Sequence, residues 1–404
     1  MATTPLRLAP HTRRLLLSRG LRSLSQGALA TDFALYLSAL GWSGTAIGLL
    51  LSAGGIVNAL IALWIGPASD QLGRKRLLLI YQVVFSCSAL IALLSAAPLA
   101  ITVAAILGGL GRGANGAAGP FGPVEQAWLG EGIPPHQRAR VYSWNSAIGF
   151  LGMGLGALLA ASPAFLHGVL PGPLAYRPLF ALSLLVGLLG FVLIWQIPGG
   201  QPQATARDAS ARLSQEERGL LLKLALANAL NSTAIGLTGP LITYWFALRF
   251  HVGPGLIAPI QALTLLSTGA ASLINGELAS RFGIVRSLVA SRSLGLLLLL
   301  VLPLMPSYPL AALVYILRSI LNRGTIGARQ AMTAGLVRES RRGTAFSISG
   351  ASAQIPQALG PALSGHLLEE GLFSLPFYVA AILQGLYLFA YTRFFSAYEP
   401  GRES

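Results

Sequence analysis

The chain has 404 residues, 54% of them hydrophobic and only 10% charged, with 28 Lys and Arg against 13 Asp and Glu. A soluble chain carries roughly 25% charged residues, and the apolar stretches here repeatedly pass the roughly 18 to 20 residues that cross about 30 Å of hydrocarbon, so a soluble fold is excluded. The formal charge of +15 comes from basic residues flanking apolar spans, a pattern of membrane orientation rather than nucleic-acid binding.

The runs are rich in Leu, Ala and Gly and lack strand-type alternation, which predicts a helical bundle rather than a barrel. The N-terminal segment 1–20 is basic without an acidic residue and is expected to be a cytoplasmic tail, with a transit peptide as the second reading. Twelve spans follow at about 21–40, 44–68, 77–97, 99–129, 141–165, 178–197, 219–249, 255–279, 287–305, 308–337, 344–368 and 372–395. One set of loops and tails holds nearly all the basic residues, among them Arg19, Arg22, Arg74, Lys75, Arg76, Arg138, Arg140, Arg286, Arg292 and Arg342. The alternate set holds only Arg177 and Arg249. Both termini are therefore expected in the cytoplasm, with an even number of spans.

A polar stretch at 198–218 reads as a flexible linker between two halves, 21–197 and 219–395, leaving 396–404 as a cytoplasmic tail. An internal repeat supports the division. GPASDQLGRKR and GELASRFGIVR align Gly66 with Gly276, Gly73 with Gly283 and Arg76 with Arg286, all offset by 210 positions. A second echo pairs RARVYS at Arg138 with RGTAFS at Arg342. Two parallel six-helix halves are the natural inference.

Several polar residues fall inside the spans. Span one carries Gln26 and Asp32, and a carboxylate at Asp32 needs a partner or a proton. Its two readings are a proton switch poised against Arg112 and a static or water-exposed acid. Glu125, nearer the cytoplasmic end of span four, is expected to be solvated. Arg112 lies in the middle of a Gly-rich apolar segment, a functional candidate by default and otherwise a fixed cation bound to backbone. Span seven contributes Asn228, Asn231 and Thr238, interhelical hydrogen-bonding groups unless they face the cavity. Span ten contributes Arg318, Asn322, Arg323, Arg329 and Gln330. Arg318 and Arg329 share a face at eleven residues' separation, with Arg323 elsewhere. The repeated Gly in AIGFLGMGLGALL permits close helix approach.

The loop after span two places Gly66 and Pro67 as helix breakers, then Asp70, Gly73, Arg74, Lys75 and Arg76, a combination suited to a gate or to a basic loop that merely fixes topology. This stretch resembles the signature loop of the major facilitator superfamily, with Gly66, Asp70, Gly73, Arg74 and Lys75 at matching positions and Gln71 where a basic residue is usual. Arg112 with Gly116 likewise resembles the family's span-four motif, with Asn115 where Gln is common. The resemblance extends over the whole chain in span number, linker and repeat. It implies an all-helical fold of two pseudo-symmetric halves, a gating role for the loop, an influence of Arg112 on proton transfer, and a cavity lined by spans one, four, seven and ten.

With Asp32 as the only acid deep in that set, the cavity is expected to be cationic and suited to an anionic group, unless the arginines serve helix ends or lipid phosphates. The implied activity is secondary active transport by alternating access, coupled to protons or another ion, of a small polar or anionic solute. Span five lacks the family's antiporter Gly-Pro pair, which lowers but does not remove the alternative, export of amphipathic compounds. A membrane receptor or assembly factor is the third reading. No ligand cluster implies a metal, no Walker loop implies ATP, and no nucleophile with its base implies an enzyme, so no cofactor is expected. The protein is expected to be a monomer in a bacterial plasma membrane. Cys87 is the sole cysteine and has no intrachain partner.

Overall fold

The computed structural model describes residues 10–112, 119–129, 135–166, 168–198, 215–282, 284–323 and 342–395. Its helices are α1 (Pro10–Ala39), α2 (Gly44–Leu72), α3 (Arg74–Leu94), α4 (Pro98–Gly108), α5 (Gly122–Leu129), α6 (Pro135–Leu159), α7 (Ser162–Leu166) and α8 (Arg177–Trp195) in the first half. The second half contains α9 (Gln215–Thr238), α10 (Ile242–Phe250), α11 (Pro254–Phe282), α12 (Ile284–Val301), α13 (Tyr308–Arg323), α14 (Arg342–Glu369) and α15 (Leu375–Phe395). Grouped by traverse they make twelve spans, with α4 and α5 sharing span four, α6 and α7 span five, and α9 and α10 span seven. Among the described residues, seven segments are individually long and apolar enough to cross a bilayer, and three shorter apolar helices, Pro98–Gly108, Leu288–Leu304 and Tyr308–Asn322, belong to the remaining spans. Large apolar side chains point outward from the bundle, Trp64 and Phe165 each 83% exposed, as lipid-facing residues should be.

Three local departures from the expected spans have physical causes. Helix α1 is already helical at Pro10, the first described residue, rather than from near 21, and the cations that follow find partners inside the protein. Gly66 and Pro67 do not end α2, which continues to Leu72. Span four is not one helix. It stops at Gly108, and Gly109 and Gly111 take φ values of 67° and 75°, which only glycine adopts without strain. Span seven breaks likewise at Gly239–Leu241, where Pro240 supplies no amide hydrogen.

Each half is drawn together by glycines. Within the first, α1 and α6 approach so closely that a Cβ at Gly156 would lie 1.8 Å from the Leu24 carbonyl oxygen and one at Gly27 would lie 2.1 Å from that of Met153. Within the second, Gly360 of α14 rests against Gly236 of α9, where an added Cβ would meet the Gly236 backbone at 2.1 Å.

The halves meet chiefly along α2 with α14 and α6 with α11, with smaller contacts of α1 with α10 and α11 and of α7 with α11. We call the end where α1 runs into α2, and α14 into α15, the distal end. There Gly44 and Gly48 press on the backbone of Gly365 and Pro361, and the Ala362 amide donates to Ser52 Oγ at 2.8 Å. The largest buried apolar cluster is continuous across both halves, with Phe33, Tyr36 and Phe180 from one and Trp245, Phe246 and Phe377 from the other.

Gly156→Ala must push α1 from α6 and should cost about 1–3 kcal/mol. Gly350→Ala, where nothing lies within 4 Å, should be neutral or slightly stabilising through the unfolded chain. Thermal unfolding of the two variants in the same detergent checks the contrast.

Candidate functional site

The polar interior of the first half is organised around α1, whose 3.6-residue period divides its faces. Arg22, with no exposed surface, forms an ion pair with Glu125 of α5 and donates to Ser18 Oγ at 2.8 Å. Its guanidinium also lies 5.9 Å from the ring centroid of Tyr81. Arg19 joins the same carboxylate at 4.0 Å, and Gln26 is hydrogen-bonded to the Tyr81 hydroxyl. Glu125 is therefore not solvated as its place near a helix end implied. It is 2% exposed, because two buried guanidiniums need a counter-charge. Arg19 and Arg22, counted by sequence among the basic residues of the tail, are interior groups.

Arg112 sits just past the break in span four instead of within a helix. Its Nη1 donates to the Gly54 carbonyl at 3.0 Å, and Asn58 Nδ2 donates to the same oxygen at 2.7 Å and to that of Ile106 at 3.3 Å. The interrupted backbone is thus held by side chains of α2. No ion pair joins Arg112 to Asp32 among the described residues, although Gly111 abuts Phe33, the neighbour of Asp32. Asp32 is 1% exposed and neither carboxyl oxygen has a hydrogen-bond partner among the described residues. Asn115, Gly116, Arg329 and Gln330 lie outside the described residues.

In the second half the organising cation is Arg292 of α12, another residue that sequence had assigned to the loops. It is buried, donates through Nη1 to Asn231 Oδ1 and through Nη2 to the Asn322 carbonyl at 3.4 Å, and lies 5.2 Å from the centroid of Tyr387. Asn228 of α9 donates to Ser349 Oγ of α14 at 2.9 Å, so the two amides of span seven face different helices. Asn322 fits the space left by Gly295, where a Cβ would meet its Oδ1 at 2.6 Å. Arg318 is buried one turn away on α13, while the side chain of Arg323 falls outside the description. Arg292 carried one signal in the sequence, its place 210 positions after Gln82, within the repeat. Gln82 is itself buried and donates to Ser18 Oγ at 3.3 Å.

The motif after span two is placed in part. Gly73, at φ 81°, opens α3, and Lys75 Nζ donates to the carbonyls of Trp195 and Ile197 at 2.7 and 2.6 Å, binding the free C-terminal end of α8. Gly66 and Asp70 lie on α2, with the Asp70 side chain outside the description, and Arg74 is half-buried beside Lys75. The structure thus gives Lys75 a role inside its own half.

At the distal end Glu369 of α14 caps α2 across the boundary between halves. Its Oε2 accepts the Thr45 amide at 2.9 Å, and His366 Nδ1 lies 3.4 Å from Thr45 Oγ1. The hydroxyl and then the amide of Thr45, helped by Ser43 and the nearby His366, hold the Glu369 carboxyl below the usual carboxylate range. Among the described residues no group of His, Cys, Asp and Glu could hold a metal ion.

Two helical bundles of like design that span a membrane define a multi-pass membrane protein of the paired-half transporter class. The profile of the Major Facilitator Superfamily matches residues 15–222 and 224–404. The chain belongs to that superfamily. An uncharacterized membrane protein of Saccharomyces cerevisiae is 21% identical over 402 residues, covering 90% of this chain and 89% of that one. The quinolone resistance protein NorA of Staphylococcus aureus is 26% identical over 174 residues, 42% of this chain and 40% of NorA. A crystal structure of a D-xylose-proton symporter shares the fold with a TM-score of 0.74 at 14% identity, over 95% of this chain and 97% of that one.

Glu125→Gln should lower stability by about 3–5 kcal/mol, since it leaves buried guanidiniums uncompensated. The double change Arg22→Met with Glu125→Leu should recover much of the loss, and thermal unfolding in detergent measures both.

The Glu369 contact should follow pH. A carboxyl held low keeps its hydrogen bonds above its unperturbed titration range and loses them as pH falls through its own, so acid should loosen the distal closure. Spin labels at Ala39→Cys and Leu372→Cys, in a Cys87→Ser background, should move apart on acidification, and Glu369→Gln should remove the pH dependence.

Proposed function

We propose that the chain is a proton-coupled secondary transporter that works by alternating access and carries a small polar or anionic solute. The observation that carries this reading is Asp32, whose two carboxyl oxygens are buried in the membrane region and lack partners among the described residues. A carboxyl in such a place is held as the neutral acid until water or a cation reaches it, so a conformational change that alters its surroundings also loads or releases a proton.

The boundary between halves suits the same mechanism. At the distal end glycine-to-backbone contacts and a few polar links lie beside an apolar cluster shared by both halves, and all of these part when that end opens. The units that rock are 21–197 and 219–395 about the linker 198–218. The interior favours anions: Arg112, Arg292 and Arg318 are intramembrane cations on spans four, nine and ten. Gln26, Asn115, Asn228, Asn231, Asn322, Arg323 and Arg329 complete the set of polar residues on the proposed solute path, with Gly66, Asp70, Gly73, Arg74 and Lys75 as its gate. The asymmetry of basic residues supports both termini in the cytoplasm, and we place the protein in a bacterial plasma membrane. We read the protein as a monomer without cofactor.

A second reading, export of amphipathic compounds, is favoured by the likeness to NorA. Thermal-shift screening against anions, sugars, amino acids and lipophilic cations separates the two. A stabilising anion whose effect disappears in Arg112→Ala or Arg318→Ala supports the cationic path. Stabilisation by lipophilic cations alone, indifferent to both changes, supports export. With the stabilising compound as solute in proteoliposomes, Asp32→Asn should abolish accumulation driven by a pH gradient while leaving downhill exchange intact. Accumulation with unchanged pH dependence would remove Asp32 from the coupling role.

A further inference from the structure

Asp32 lies on a particular face of α1. Ser25, Leu29, Asp32 and Tyr36 follow one another at spacings of four, three and four residues and form a single stripe along the helix. Both ends of that stripe are fixed against α8. Ser25 donates to Ser183 Oγ at 2.7 Å, and the Tyr36 ring packs edge-on against Phe180 at 4.9 Å and tilted against Tyr176 at 5.7 Å. Asp32, between them, is therefore aimed at the seam between α1 and α8, inside the first half. The neighbouring stripe, bearing Arg22 and Phe33, turns toward span four, with Phe33 also meeting Phe180 of α8 edge-on at 6.5 Å.

Tyr176 closes that seam at its distal end. It is 5% exposed, packs against the Tyr36 ring one turn beyond Asp32 at 5.7 Å, and immediately precedes Arg177, which is exposed at the distal surface. Arg177 in turn acts electrostatically on Tyr36. Among the described residues, the titratable or charged groups around Asp32 are Tyr36 on its own helix, Tyr176 and Arg177 entering α8, and Arg112 beyond Phe33 on the span-four side. Helix α6, packed against another face of α1, carries no ionisable residue between Trp144 and Leu159.

We infer that the proton reaches and leaves Asp32 within the first half, through the Tyr176 hydroxyl at the distal end, by a route separate from the solute path between the halves. This rests on the reading of Asp32 as the coupling acid. No direct hydrogen bond joins Tyr176 to Asp32, and one bridging water completes the connection. The Tyr176 O–H bond breaks as its proton passes through that water to an Asp32 oxygen, and the phenol oxygen takes a replacement proton from water at the distal surface. Release runs the same steps backwards. Tyr176 ends each transfer neutral, and the two sites are coupled through the position of α1 against α8 rather than by contact between proton and solute.

The test uses the proton itself as probe, so no solute is needed. Purified full-length protein is followed by time-resolved infrared difference spectroscopy after a pH jump, with the Asp32 carboxyl band assigned by its loss in Asp32→Asn. Tyr176→Phe keeps the ring and removes only the hydroxyl. It should slow protonation of Asp32 by about ten-fold or more while leaving the titration midpoint within a few tenths of a unit. Tyr36→Phe, which keeps the same packing, should have the smaller effect. An Asp32 band that titrates at an unchanged rate in Tyr176→Phe would overturn the relay and leave the coupling acid standing. Absence of any titrating band lost in Asp32→Asn would instead sink the coupling role, and the relay with it.

Discussion

Hydrocarbon offers no hydrogen-bond partner, and the polar interior of this chain is arranged around that fact. Arg22 and Arg19 share Glu125, with Ser18 and Tyr81 taking up the rest of the Arg22 guanidinium. Arg292 rests on two asparagines and a tyrosine ring. Even the break in span four obeys the rule, since Asn58 reaches from α2 to the Ile106 carbonyl in the last turn of α4, and Arg112 reaches back to the Gly54 carbonyl of α2. Asp32 stands apart from these groups, because it is fully enclosed and its oxygens have no partner among the described residues. In a membrane that exception points to chemistry rather than support.

The same solvent removes the hydrophobic drive that would hold helices together in water, leaving contact distance as the main source of cohesion. Glycine supplies it. Leu24 and Met153 within one half, and Gly365 and Pro361 across the boundary, present backbone atoms where any side chain would collide. Contacts of this kind are firm where a continuous stripe supports them, as between α1 and α6. At the boundary they are assisted by groups that water can replace, such as the Glu369 carboxylate at the head of α2. On the proposed alternating-access reading, this difference is what lets the halves keep their shape while the boundary opens.

Internal repetition has been used for divergence. Gln82 and Arg292 occupy corresponding places, and each reaches the first span of its own half, Gln82 to Ser18 and Arg292 to Asn231. One half keeps its buried cations on the first span and neutralises them with an acid. The other has buried cations on the third and fourth spans of the half, Arg292 and Arg318, and binds Arg292 with amides. A symmetrical scaffold thereby carries an asymmetrical charge distribution, as a coupled transporter requires if proton and solute are to be handled by different parts of the bundle.

The number of spans and the two-half plan were legible in the amino-acid sequence, because hydrocarbon thickness imposes a minimum apolar length and the repeated motifs share one offset. Intramembrane Asp32 and Arg112 stood out for the same reason: charge is costly there wherever the helix turns. Tertiary structure alone decided which polar groups meet. Arg19, Arg22 and Arg292 looked like loop cations because helix ends are blurred in a single sequence, and their burial depends on Glu125, Asn231 and Asn322 arriving from distant spans. The glycines of LGGLGRG read equally well as a packing stripe or a break, and only positive φ at Gly109 and Gly111 distinguishes the two. The face that Asp32 presents was likewise undecided, since periodicity says which residues share a stripe, while the helix that the stripe meets is set by how all the spans pack.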